Sequence, residues 1–289
     1  MSPRARFAAG FGASRTALAG LALFAFLLAA ALLAPVLAPQ NPYDLAQLDL
    51  LDSRLPPGAH TAAGLIRWLG TDDQGRDMLS AILYGLRTSI AVGFASTALA
   101  LVIGLGLGLA AGYIGGWVEA LIMRIADLQL SFPSILIALI LLAVLGQGIE
   151  KIVLALVAVQ WAYYARTARA AAIVERKKEY IEAAAALALP PVRIVFRHLL
   201  PNCLPPVLVV AAVQIASAIT LEATLSFLGL GLPVTEPSLG LLVANGYTYM
   251  LSGGWWMSLP PGAALLALIA SINLVGDRLQ DVLDPRLGR

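Results

Sequence analysis

The sequence predicts an all-α membrane protein with six transmembrane helices and both termini in the cytoplasm. Three observations carry this expectation. The 289 residues are 60% hydrophobic, with a mean hydropathy of +0.84. Only 12% are charged, against about a quarter in soluble domains. The apolar residues also fall into six runs, and Arg and Lys are unequally shared between the two sets of connections. The same composition excludes other classes. A net charge of +2 is too small to point to nucleic acid as a partner. The single cysteine, Cys203, cannot form an internal disulfide and reads as a small apolar residue at the start of a span. No G-x-x-x-x-G-K-[ST], H-E-x-x-H or G-x-S-x-G pattern occurs, so neither a P-loop nor a familiar hydrolytic site is encoded. His60 and His198 lie outside the apolar runs, which argues against a haem held between spans.

The elements follow in order. Residues 17–37 form an uncharged apolar run behind Arg4, Arg6 and Arg15. It is longer than the 7–15 residues of a signal-peptide core, so it reads as a retained first span. Residues 39–85, rich in Pro, Gly and Asp, form an extramembrane connection. Within it LGTDDQGRD (69–77) gathers three carboxylates. That cluster is either a cation or partner site, or a turn capping a helix that begins near Met78. Residues 88–111 are the second span. Gly104, Gly108 and Gly112 recur every four residues on one face, the spacing that lets helix backbones approach closely in lipid. Residues 115–132 read as a polar connection, 133–146 as the third span and 152–165 as the fourth. The fourth ends in Trp161, Tyr163, Tyr164 and Arg166, rings followed by a cation as at a membrane interface. Residues 204–230 are the fifth span. Residues 231–257 form a loop with Trp255 and Trp256 at headgroup level. Residues 258–276 are the sixth span, followed by a charged tail, 278–289.

Arg and Lys orient the chain. Taken in order, the amino terminus, second loop, fourth loop and tail hold three, one, seven and three of the 19; the remaining loops hold four, one and none. The positive-inside rule then puts the first set in the cytoplasm. The fourth loop, 166–203, is the longest polar interruption in the C-terminal half. Its stretch EYIEAAAALALPPVRIVFRHLLPN (179–202) opens with Glu179 and Glu182, which suit a helix N-terminus. It continues in Ala and Leu and meets Pro190 and Pro191, which stop a helix. A short helix of small side chains suits insertion into a partner's groove, and equally an ordinary surface helix.

The order Glu182-Ala183-Ala184, Ala188, His198-Leu199-Leu200-Pro201-Asn202 resembles the EAA loop of inner-membrane permeases of bacterial ABC importers. LGTDDQGRD, GLRTSIAVG, AGYIGGWVEALIMRIAD, SFPSILIAL, YYAR, LSFLGLGLP and NLVGDRLQDVLDPRL resemble the C-type subunit of the dipeptide/oligopeptide permease family. The likeness covers roughly residues 66–287. It implies a type I ABC importer permease fold, with residues 86–277 as an ABC transmembrane type-1 domain. It also implies a non-catalytic subunit of the bacterial inner membrane that forms half of the path for peptides. The implied partners are a second homologous permease, two ATP-binding cassette ATPases holding ATP and Mg, and a periplasmic or lipid-anchored substrate-binding protein. This chain itself holds no cofactor or metal. The residues implied to dock on an ATPase are Glu179, Glu182, Ala183, Ala184, Ala188, His198, Pro201 and Asn202. Two departures stand out. Ala188 and the Pro190-Pro191 pair occupy positions where the family usually has Gly and other residues, and Arg278 and Gln280 stand where it often has Gly and Arg. Nickel chelates, glutathione, opines and oligosaccharides stay open as cargo.

Glu222 is the ionisable residue inside a predicted span. It either lines the translocation path, or is a carboxylate satisfied by Ser217, Thr220, Thr224 or a neighbouring helix. A proton-coupled secondary transporter is the rival class. It calls for several such groups and inverted repeats, which this sequence lacks. An intramembrane enzyme would need a nucleophile–base pair within the spans.

Overall fold

The computed structural model describes residues 10–44, 48–233 and 235–283. Arg4, Arg6 and the end of the tail lie outside them. The first span is α1 (Arg15–Leu32), capped by Ser14, whose hydroxyl accepts from the Ala17 amide at 3.3 Å. A single turn, α2 (Ala34–Leu37), follows with Pro35 in its first turn. The extramembrane connection holds a small antiparallel pair, β1 (Ala59–His60) against β2 (Ile66–Arg67), with Ala59 opposite Arg67.

LGTDDQGRD folds as a turn and a cap. The Asp72 carboxylate accepts from the Gln74 and Arg76 amides, at 2.9 and 2.8 Å, and from Arg76 Nε at 2.6 Å. Asp77 caps α3 (Met78–Ile114) by accepting from Ser80 N and Oγ, at 2.8 and 2.7 Å. Asp72 and Asp77 are thus committed to the chain's own donors, as the capping reading expects. At about 1.5 Å per residue, the 37 residues of α3 reach about 55 Å. That is well beyond a hydrocarbon core of about 30 Å, so α3 projects into the polar layers. It passes the expected boundary at 85/86 without a break.

Gly115 ends α3 at φ 74°, a conformation that glycine adopts freely. The chain then re-enters a helix. Residues 115–132 are not an extended polar connection but contain α4 (Gly116–Leu130). Glu119, Arg124 and Asp127 made this stretch look like loop, yet they share one helix with Leu121, Ile122 and Ile125. At Ser131–Pro133 the path bends by 92° into α5 (Ser134–Leu145). The fourth run extends to α6 (Ile149–Arg176), so the Trp161–Arg166 signal lies inside a helix. Tyr164 is fully buried there. The polar elbow comprises α7 (Glu179–Ala186), α8 (Pro191–Ile194) and a π-turn over Val195–Leu199, which runs into α9 (Leu200–Phe227). The connection 231–257 contains α10 (Leu239–Met250), and α11 (Leu259–Leu283) closes the described chain.

Among the described residues four helices are long and apolar enough to cross a membrane. These are α1, α3, the Pro191–Phe227 rod and the Trp255–Leu283 rod, and the bent α4–α5 pair makes a fifth. The 28-residue α6 carries Glu150, Lys151 and Arg166 around its apolar centre. The fold is organised on α3 and α6, which cross where Gly104, Gly108 and Gly112 face α6. A Cβ on Gly104 would stand 2.6 Å from Tyr164 Cβ, one on Gly108 2.5 Å from the Ala165 carbonyl oxygen, and one on Gly112 2.6 Å from Ala172 Cβ. A second core joins Leu27 of α1, Leu86 of α3, Ile219 of α9, Leu239 of α10 and Leu268 of α11.

Candidate coupling site

The elbow between α6 and α9 is built from local rules. Glu179 and Glu182 sit in the first turn of α7, where exposed amides favour negative charge. The helix ends in a Schellman arrangement. The Ala188 amide donates to the Ala185 carbonyl at 2.9 Å and the Leu189 amide to the Ala184 carbonyl at 3.2 Å. That geometry needs a left-handed residue between them, and Ala188 supplies it at φ 53°. Leu189 folds back onto Ile181, Ala184 and Ile194. Pro190 and Pro191 stand beyond this stop, and Pro191 begins α8, where its missing N–H costs nothing.

A polar clasp ties α7 to both neighbouring helices. Tyr180 Oη donates to Glu175 Oε1 at the end of α6. Asn202 Nδ2, at the start of α9, donates to Tyr180 Oη at 3.0 Å and to the His198 carbonyl at 2.6 Å. Lys178 Nζ stands 2.7 Å from Glu175 Oε2. Burial pushes Glu175 up, but hydrogen bonds from Lys178 and Tyr180 and the Lys178 charge outweigh it. The net effect is a carboxyl held below its usual 4.5. Tyr180 is pushed up to about 12, first by burial, then by its bond to Glu175 and that group's charge.

The structure separates the expected site residues into three groups. Glu179, Glu182, Ala183 and Ala188 point outward, together with Leu187. Ala184 does not. It is buried against Ile181 and Ile194 and anchors α7 from beneath. His198, Pro201 and Asn202 lie at the π-turn and the first turn of α9, with Asn202 in the clasp. Glu175 and Tyr180 were not singled out in the sequence. Their signal was a carboxylate in the last turn of α6, where the helix end disfavours it unless donors gather round.

Glu222 sits elsewhere. It has no exposed surface and lies between α3, α9 and α10. Ser89 Oγ donates to Oε2 at 2.9 Å and Ser226 Oγ to Oε1 at 2.8 Å, and Ser238, the cap of α10, adds a third hydroxyl. Thr220 and Thr224 instead bond their own helix backbone. The carboxyl thus faces the chain's own serines. In the tail, Arg278 donates to the Gly10 carbonyl and stands 3.5 Å from Asp281, which fastens α11 to the start of the chain.

The described residues thus form an apolar helical bundle with a short helix clasped to α6 and α9. The chain belongs to the binding-protein-dependent transport system inner membrane components, whose family model matches residues 104–289. Residues 2–57 match the N-terminal TM domain of oligopeptide transport permease C. It is therefore a multi-pass permease component of the inner membrane. It is 37% identical over 287 residues to the di/tripeptide transport system permease protein DppC of Pseudomonas aeruginosa, covering 99% of this chain and 93% of that protein. It is 39% identical over 246 residues to the probable D,D-dipeptide transport system permease protein DdpC of Escherichia coli, covering 85% and 80%. An inward-facing structure of the MetNI methionine ABC transporter superposes with a TM-score of 0.54 at 24% identity, over 71% of this chain and 97% of that one. The fold is that of a type I ABC importer permease.

Proposed function

We propose that this chain forms half of the translocation path of an ATP-driven importer of di- or oligopeptides, and that α7 is the lever by which ATPase subunits move it. The observation that carries the lever is the clasp. A helix bound to α6 through Glu175 and to α9 through Asn202, with Glu179, Glu182, Ala183 and Leu187 left outward, can pass a push from outside to both spans. The peptide cargo rests on the names of the relatives.

In this reading the chain crosses the membrane six times, with α6 completing the set and both ends in the cytoplasm. The 14-to-5 division of Arg and Lys supports that orientation. A second homologous permease forms the other half of the path. Two ATPases hold ATP and Mg, and a substrate-binding protein meets the outer loops. ATP-driven closure of the ATPases moves α7, and the path switches between inward- and outward-facing states. This chain supplies no catalysis, cofactor or metal site.

The test uses the whole complex in proteoliposomes with its binding protein, ATP and a labelled dipeptide. Ala183→Trp and Glu182→Arg place bulk or opposite charge on the outward face, and uptake should be lost while insertion and assembly persist. Unchanged uptake in both variants removes the lever. Uptake that survives vanadate but collapses with an uncoupler would favour proton coupling instead.

A further inference from the structure

Beside α7 lies a groove with two chemically distinct ends. Its apolar part, about 500 Å³, runs between the far half of α3 and the segment Pro191–Leu200. Among the side chains lining it, including Val102, Leu109, Val192 and Phe196, only Tyr113 carries a polar atom. The walls lie on the outside of the bundle, where Val102, Ile114, Val192 and Phe196 are 60–68% exposed. At Tyr113 this groove meets a second hollow of about 680 Å³, lined by Arg176, Lys177, Glu119 and Glu182. The Arg176 guanidinium stacks over the Tyr113 ring, 5.7 Å from its centre. Arg169 is bonded to Glu119 and so neutralises that carboxylate. Among the described residues Glu182 makes no ion pair, so Arg176 and Lys177 outnumber it and leave the polar end cationic.

We infer that this groove seats a glycerophospholipid, with an acyl chain against α3 and Val192–Phe196 and the phosphate at Arg176 and Lys177. The argument is complementarity at both ends. A membrane protein's outer apolar cleft is filled by chains of its own solvent. A cation pair next to that cleft, beyond the apolar walls, meets the phosphate layer, where basic clusters bind lipid headgroups. The volume of each part lies within the range of ordinary ligand sites of about 300–1,000 Å³. A seated lipid braces the π-turn and α8 against α3, and its polar end borders the lever at Glu182. Its leaflet follows from the orientation proposed above, whereas its existence does not.

Gly106 gives a clean test, because a Cβ built there meets nothing within 4 Å. The complex is purified from membranes of phosphatidylethanolamine and phosphatidylglycerol, and lipid retained per permease is measured by native mass spectrometry. Gly106→Trp should fill the groove, and Arg176→Gln with Lys177→Gln should remove the phosphate partner. Each should lose one phospholipid relative to the parent, with an unchanged elution profile. A photo-reactive benzoylphenylalanine at Val102 should yield a lipid adduct. Equal lipid retention in both variants, or cross-linking of position 102 to the second permease instead, overturns the site. Preference for one headgroup is read from which lipid is retained. None of these readouts depends on transport, so failure of the lever leaves them interpretable.

Discussion

Ala188→Gly should stabilise the end of the elbow helix, and the size of the effect can be worked from the backbone. An L-residue in the left-handed region costs roughly 1–2 kcal/mol, and Ala188 carries that cost at φ 53°. Glycine removes it but loses more freedom on ordering, worth about 0.4–1 kcal/mol in the opposite direction. The net gain is about 0.5–1 kcal/mol. At about 1.4 kcal/mol per factor of ten, opening of this end should become about two- to fivefold rarer. Hydrogen–deuterium exchange of the Ala188 and Leu189 amides reads this directly, since both close the Schellman ring. Ala188→Val gives the opposite arm, because a β-branched residue is strained further in this region. Exchange that is unchanged or faster in the glycine variant, or unaffected by valine, would refute the account of this turn.

Gly108→Leu should separate α3 from α6. Its Cβ would meet the Ala165 carbonyl oxygen at 2.5 Å, and an overpacked contact of this kind costs about 1–3 kcal/mol. A fall in Tm and in assembled complex checks it, with Gly106→Ala as the neutral control. Tyr180→Phe should cost about 1.5–3 kcal/mol of clasp, the worth of a hydrogen bond to a charged group, seen as faster exchange throughout α7. The clasp also has a pH window. Glu175 is held below 4.5, so its contribution is present above that value and fades as pH falls through the lowered one. Tyr180 is raised, so its contribution is intact below 10.0 and is lost as pH rises towards about 12. The protection of the α7 amides, taken relative to their intrinsic exchange rate at each pH, should therefore be flat between these limits, and a steep change in protection near neutrality would contradict it. Glu222→Gln keeps an acceptor for Ser89 and should transport normally with a slightly lower Tm. Glu222→Leu strands three buried hydroxyls at about 1–3 kcal/mol each and should lower the amount of folded protein. Loss of uptake of a cationic peptide alone in Glu222→Gln would return this residue to the translocation path.

What the sequence disclosed was whatever depends on near neighbours. Asp77 could be read as a cap because Ser80 is three residues away, and the elbow because its charges interrupt apolar runs. The glycine spacing on α3 likewise marked a close face, although not which helix would fill it. Contacts across long separations were hidden. The named candidate partners for Glu222 were hydroxyls on its own helix, with a neighbouring helix as the unnamed alternative. The structure uses Ser226 at four residues, but also Ser89 at a separation of 133. The small side chains of α7 looked equivalent along the sequence, yet Ala183 faces out and Ala184 faces in. That distinction is set by which side of a two-turn helix lands on Ile194. The α4 helix was missed for a different reason. Its charges fall among apolar residues in a helix that buries only Ala126, and no side-chain cap before Gly116 announced it.

The two connections of α7 differ in stiffness, and this bears on how a push would travel. Towards α6 the chain has a two-residue link, and α6 runs unbroken for 28 residues, locked to α3 at three glycines where the backbones touch. Towards α9 the path passes a left-handed alanine, two prolines, a π-turn and then Pro205 and Pro206 inside the helix. Each proline in a helix removes a backbone hydrogen bond, and π-turns mark places where the ladder is already irregular. If α7 is the proposed lever, its displacement is expected to move α3 and α6 together and to be absorbed as bending on the α9 side. Asn202 stands at that junction, holding Tyr180 on one side and the His198 carbonyl on the other. The clasp thus fixes α7 to the unbroken α6 through Glu175 and bridges it to the irregular α9 side through one side-chain amide.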